Sequence, residues 1–422
     1  MSSIRPKLQP RSFQCWASHP IPAAKRQRPG SDGVTQRSHE VPQNATSERS
    51  AIVALGGLIS LAVGIGIGRF VYTPILPAMV AELGLSKSNA GLIASANFAG
   101  YLVGALLAAG SGLPGTRRFW LLAGLAGSAA TTAAMAFVQT MPAFAVLRFL
   151  GGAASALVLV FTTTLLLDFM MSRGRPGFNA VLFAGVGIGI ATSAVLVSLL
   201  SAAGQDWSAL WLASGLVSAF GAFAAAKMIP ADEAVSILKR SGSALIVGRR
   251  LLCLILAYGL FGFGYIITAT FLVAFVRETP DTRRLEPVVW IVFGLAAAPS
   301  VALWNWLARR LSISYAFALA ALVEAVGVVA IVVWPTYVGV FITSICVGGT
   351  FMGLTALGLI RGRELAHGDP RKVLALMTSA FGLGQILGPS FAGFLFDHLS
   401  SFAIPSFLAA AALALAAALV LT

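Results

Sequence analysis

Arg69 stands inside the apolar stretch GIGIGRFVYTPILP, residues 64–77. A charged side chain at the centre of a membrane-length run costs about 2.5–3.5 kcal/mol on insertion scales, so it needs a wet cleft or a partner. Arg69 could bind an anionic group of a solute, with Tyr72 and Thr73 adding hydrogen bonds. It could instead clamp carbonyls exposed by the breaks at Pro74 and Pro77. Arg148, in RFLGG, poses a similar choice. It could line a cleft or take part in proton coupling, or it could bind a carbonyl or snorkel. Glu324 is the one carboxylate deep within an apolar run. An acid there could carry a coupled proton, or sit protonated in a hydrogen bond. Asp168, near the end of its run, reads as a gate or a structural contact to Arg117, Arg118 or Arg173. Asn97, Tyr101, Tyr265, Thr268 and Gln385 are polar groups on other runs. Each could touch a solute or simply bond a neighbouring helix.

The elements that must position these groups are helices in lipid. Hydrophobic residues make up 58% of the 422 residues and charged residues only 10%, with mean hydropathy +0.87. A water-facing surface needs about 25% charge. From Ala51 onward, apolar runs alternate with short polar breaks. We read twelve spans, near 51–83, 88–112, 119–139, 142–171, 177–203, 207–229, 250–276, 286–308, 312–334, 337–360, 372–396 and 402–422. Each is about the 20 residues a helix needs to cross hydrocarbon. Isolated strands could not satisfy their backbone there.

The net charge of +14 does not indicate nucleic-acid binding, because the basic residues fall in the N-terminal tail and in loops between spans. Arg117, Arg118, Arg173, Arg175, Lys239, Arg240, Arg309, Arg310, Arg361 and Arg363 lie on one side of the alternation; the other side has only Lys87, Arg277, Arg283 and Arg284. The basic-rich side is therefore expected to be cytoplasmic, with both termini. Residues 1–50 carry eight Lys/Arg against three Asp/Glu and no apolar period. They read as a disordered cytoplasmic tail, with a transit peptide or a start placed too far upstream as alternatives. Cys15, Cys253 and Cys346 and the four histidines have no metal-ligand or disulfide spacing, and no cofactor is expected. HExxH, GxSxG and Walker patterns are absent, which leaves proteolysis, serine hydrolysis and ATP-driven pumping without support.

A shift of about 196 residues lays GIGRF over GFGYI, FLGGAAS over CVGGTFM, and AGVGIGI over AFGLGQI. The expected domains are six helices at 51–229, a cytoplasmic linker at 230–248, and six helices at 249–422. Parallel repeats of this kind place a substrate near the midplane between the halves, with alternating access.

GIGRFVYTPILP (66–77), NFAGYLVGALLAA (97–109), RFLGG (148–152), YGLFGFGYIITATFL (258–272), GLAAAPSVALWNWLARR (294–310) and GLGQILGPSFAGFLFD (382–397) carry a resemblance. Over residues 51–422 the chain resembles the major facilitator superfamily, and more narrowly its bacterial YbfB/YjiJ-like branch. The resemblance implies an all-α membrane fold in which the first span lines the cavity and the ninth is peripheral. It also implies a secondary transporter of the bacterial inner membrane, coupled to protons and acting as a monomer. Two patterns of the superfamily are missing. The loop GSGLPGTRRFW keeps its basic residues but lacks the usual Asp, and GVGIGIATSA lacks the antiporter Gly-Pro.

The expected function is transport of a small organic solute by alternating access, not enzymatic catalysis. Two arginines on cavity helices and few acids favour an anion. The alternatives are an exporter of non-anionic drugs or metabolites, and a non-transporting receptor or scaffold. The last would need large extramembrane loops that the sequence lacks.

Overall fold

The computed structural model describes residues 43–110, 113–171, 179–230, 247–367 and 370–422. The tail up to residue 42, most of the 230–248 linker, and the Asp168 side chain lie outside the described residues. Those described contain helices and no strand. In chain order they are α1 (Gln43–Leu61), α2 (Tyr72–Leu83), α3 (Lys87–Ala109), α4 (Arg117–Ala134), α5 (Met141–Met171), α6 (Asn179–Ala202) and α7 (Trp207–Met228). There follow α8 (Arg249–Glu278), α9 (Glu286–Ala297), α10 (Ser300–Arg310), α11 (Ile313–Val333), α12 (Tyr337–Glu364), α13 (Pro370–Leu399) and α14 (Ala403–Val420). Eleven stretches are long and apolar enough to cross a membrane. The twelfth is α9 with α10, bent by 42° at Ala298–Pro299, where proline removes a helix donor. Helix α1 begins at Gln43, inside the expected tail. Extending a helix already nucleated by the apolar run from Ala51 fixes one residue per added bond.

The first span is broken where the sequence puts its glycines and prolines. A π-helical turn over Ala62–Ile67 follows α1, and Gly68 donates back to the Val63 carbonyl at 2.9 Å. Pro74 has no N–H for the Phe70 carbonyl, which accepts from Thr73 at 3.2 Å instead. The carbonyls of Gly68 and Arg69 are thereby released from the helical ladder inside the protein, where each still needs a donor.

Helix α3 is the axis of the packing that matters here. It lies against α5 on one side and α13 on the other, while α8 contacts α13, α14 and α2, and α6 packs on α9. The GxxxG pair of α3 makes the first contact possible: a Cβ at Gly100 would sit 1.8 Å from the Phe149 carbonyl oxygen, and one at Gly104 2.6 Å from that of Ala153. Gly91 and Gly393 do the same between α3 and α13, meeting the Pro389 and Lys87 carbonyls. Large apolar side chains such as Phe220, Phe223 and Leu387 are exposed on the outside, a surface suited to lipid.

Candidate functional site

The break in the first span presents Arg69 to the middle of the bundle, where it is only 6% exposed. Rings crowd its guanidinium: Tyr101 lies 4.0 Å from the central carbon, Phe98 5.0 Å and Phe70 5.6 Å. Such cation–π contacts are worth up to about 2 kcal/mol when desolvated. Nη2 donates to Oε1 of Gln385 on α13 at 3.2 Å, and the Gln385 amide nitrogen donates to the Tyr265 hydroxyl on α8. Nε is buried without a partner. The sequence-expected residues Arg69, Tyr101, Tyr265 and Gln385 therefore form one connected cluster drawn from the first span, α3, α8 and α13. Tyr265 lies almost parallel to Phe351 and Phe381, at centroid distances of 5.6 and 5.9 Å.

Arg148, on α5, is 3% exposed and spends its terminal nitrogens differently. Nη1 donates to the Gly68 carbonyl at 2.9 Å and Nη2 to the Arg69 carbonyl at 2.8 Å. These are the two acceptors left free in the break between the π turn and α2. The clamp on exposed carbonyls that the prolines suggested is present, and its guanidinium is that of Arg148. Asn97 completes it, donating from Nδ2 to the Arg148 carbonyl at 2.8 Å. Among the described residues no carboxylate pairs with Arg69 or Arg148.

The other expected residues occupy separate positions. Tyr72 donates its hydroxyl to the Ala90 carbonyl at 2.9 Å and presents its ring to Arg148. Thr73 donates to the Ala269 carbonyl at 2.8 Å, tying the first span to α8. Thr268 is buried on α8, about one turn beyond Tyr265. Glu324 is fully buried on α11, and neither carboxyl oxygen has a hydrogen-bond partner. Thr350 stands beside it but commits its hydroxyl to the Cys346 carbonyl at 2.6 Å. Arg118, one of the partners considered for Asp168, donates to the Ala226 and Ile229 carbonyls at the end of α7.

A second polar cluster escaped the sequence reading. At the start of α3, the backbone N–H groups of Lys87 and Ser88 donate to the carboxylate of Asp397 on α13, at 3.1 and 2.9 Å. The Lys87 ammonium pairs with Glu278 at the end of α8. About two turns deeper, Ser95 donates to the Ile386 carbonyl and accepts from Ser390. Three helices are thus fastened at one end of the molecule. The residues are 291 to 310 positions apart in α3 and α13, so no spacing or period announces them; only the position of Lys87 next to the N-cap Ser86 was a signal.

A family model described as the uncharacterised MFS-type transporter YbfB matches residues 61–421. A gallate transporter of Pseudomonas putida is 28% identical over 188 residues, a match that spans 42% of this chain and 42% of that protein. A chloramphenicol resistance protein of Streptomyces lividans is 27% identical over 358 residues, or 81% of this chain and 88% of that protein. The solved structure of the nucleoside transporter NupG matches with TM-score 0.66 at 15% identity, over 88% of this chain and 98% of that one. A substituted form of NupG gives 0.70, covering 87% and 99%. At this identity the structural likeness concerns the fold.

Proposed function

We propose, given that this chain belongs to the YbfB family of MFS-type transporters, that it carries a small organic anion across the bacterial inner membrane, driven by the proton gradient. The observation that carries the reading is Arg69: a buried guanidinium with an unpartnered Nε and, among the described residues, no paired carboxylate. Taking an ion out of water costs several kcal/mol after relaxation. Rings and one side-chain amide offset part of that cost. A bound carboxylate or similar anion would supply the missing charge and fill the free donor.

In this reading the two six-helix halves, 51–229 and 249–422, rock about the Arg69 cluster. The fastening of Lys87 and Asp397 closes one face and must part when that face opens. Arg148 is a positioning residue, setting the angle at which the broken first span presents Arg69. Glu324 carries the coupled proton: its carboxyl has no partner as an acceptor, and protonation would let it donate to the Thr350 hydroxyl oxygen. The protein works as a monomer with both termini in the cytoplasm, as the loop arginines favour.

The test is solute uptake into proteoliposomes under an imposed pH gradient, screened over organic acids and their neutral amides. Arg69→Ala should abolish transport while the protein still inserts in the membrane. Undiminished transport by that variant would remove the anion site. A second reading, export of an uncharged solute, is favoured by the relative named for chloramphenicol resistance, which matches most of the chain. It requires the neutral amides to be carried and the acids not.

A further inference from the structure

The guanidinium of Arg69 has two faces and two edges available for binding. Tyr101 at 4.0 Å and Phe98 at 5.0 Å crowd it. A carboxylate binds a guanidinium best in its plane, through two parallel N–H···O bonds. One in-plane fork is formed by Nε and Nη2, and this fork is half empty: Nε has no partner, and Nη2 holds only the amide oxygen of Gln385 at 3.2 Å. That length is at the long limit for N–H···O. A carboxylate placed there would make two parallel bonds and displace a neutral acceptor with a charged one.

What lies beyond the fork restricts the rest of the molecule. Gln385 is bonded through its amide nitrogen to the Tyr265 hydroxyl. The Tyr265 ring is within 11° of parallel to Phe351 and within 6° of parallel to Phe381. Phe70, the residue after Arg69, meets Phe351 edge-on at 5.8 Å. The aromatic array thus runs without a gap from the neighbour of the cation to the ring that Gln385 holds. Three near-parallel rings give one orientation to any planar group that joins them, and offset stacking rewards a flat π-face over a puckered ring. Tyr265 accepts from Gln385 and keeps its own O–H proton for a ring substituent.

We infer that the solute is a planar aromatic carboxylate, its carboxylate on the Nε–Nη2 edge of Arg69 and its ring stacked in the Phe351–Tyr265–Phe381 array. The inference rests on the anion-transport reading and narrows it. Gln385 then acts as a placeholder: it yields Nη2 when the carboxylate arrives, and its release is transmitted to Tyr265.

The experiment is calorimetric titration of the purified full chain in lipid nanodiscs with benzoate, cyclohexanecarboxylate and benzamide. The two acids have the same carbon skeleton and charge and differ in planarity; the amide keeps the ring and loses the charge. Benzoate should bind about tenfold more tightly than cyclohexanecarboxylate, the equivalent of one aromatic pair. Benzamide should give no heat of binding. Phe351→Leu should bring the ratio of the two acids close to one while leaving cyclohexanecarboxylate within about threefold of its original affinity; a general loss of structure would weaken both acids together. Equal binding of the two acids to the unsubstituted chain overturns the aromatic proposal and leaves the anion reading standing. Binding of benzamide as tight as that of benzoate overturns the anion reading, and so does failure of both acids to bind.

Discussion

Two arginines lie buried in the same half of the chain, and the protein treats them in opposite ways. Arg148 is saturated at both terminal nitrogens by fixed backbone carbonyls. Arg69 has one side-chain acceptor and three aromatic neighbours, and Nε is without a partner in both arginines. Backbone acceptors cannot leave, so Arg148 is part of the frame. Side-chain acceptors can turn away, which in the proposed reading leaves Arg69 able to take a solute anion. The lesson is that burial alone does not distinguish a functional charge from a structural one; what distinguishes them is whether the partners are able to let go.

The largest effects should come from removing each charge in turn. Arg69→Gln should lower solute transport by about a hundredfold or more, since it deletes the buried partner of a bound charge. Its apparent melting temperature should stay level or rise, because an uncompensated buried cation is gone. Arg148→Gln should do the reverse in stability, losing about 2–4 kcal/mol as the Gly68 and Arg69 carbonyls are left without full donors. A parallel melt and uptake assay on the two variants checks both, and a fall in melting temperature for Arg69→Gln equal to that of Arg148→Gln would erase the distinction.

Much of the frame is legible in the sequence. The length and composition of the apolar runs marked the spans, and the charge at 69 marked the centre. The prolines at 74 and 77 announced freed carbonyls. They did not say which arginine would take them, because that depends on where the broken first span directs two backbone oxygens. Tyr101, Tyr265 and Gln385 were each visible as polar groups in oil, but their meeting with Arg69 is a product of how three helices cross. The bend between α9 and α10 was readable only as a single run, although Pro299 stands at its break. Lys87 looked like one more loop charge, and Asp397 like the end of a motif.

That second cluster gives the next test, moderate in size. A cysteine placed at Ser95, which is 6% exposed beneath the fastening, should react slowly with a membrane-impermeant maleimide. Adding Asp397→Ala should raise the rate about tenfold, since two charge-assisted bonds to N–H groups are lost. Lys87→Met should raise it only about threefold, because the ion pair it removes is half-exposed at Glu278. If both variants labelled like the parent, the cluster would be ornamental, and the centre would be the sole bridge that matters.

The smallest expected effect calibrates the others. Asp206 caps the start of α7, accepting from the Ala209 N–H at 2.9 Å, far from either arginine in character and fully solvent-facing. That amide, with the Ser208 hydroxyl, holds the carboxyl below its usual range. Its contribution is present at neutral pH, above the unfolded pKa, and is lost as pH falls through the lower folded value. Asp206→Ala should lower the melting temperature by about 2 °C or less at pH 7 and by nothing at a pH where the cap is protonated. A larger shift would mean that ordinary caps rival the Arg148 clamp.

Lys87 is gripped twice, once through its ammonium and once through its peptide nitrogen. Only the first grip is encoded by the identity of the residue. Any amino acid but proline at 87 would still offer its amide to Asp397, so drift at this codon can weaken the fastening but cannot erase it. The carboxylate at 397 enjoys no such insurance. In a population of descendants, position 87 should wander through many side chains while position 397 holds to an acid.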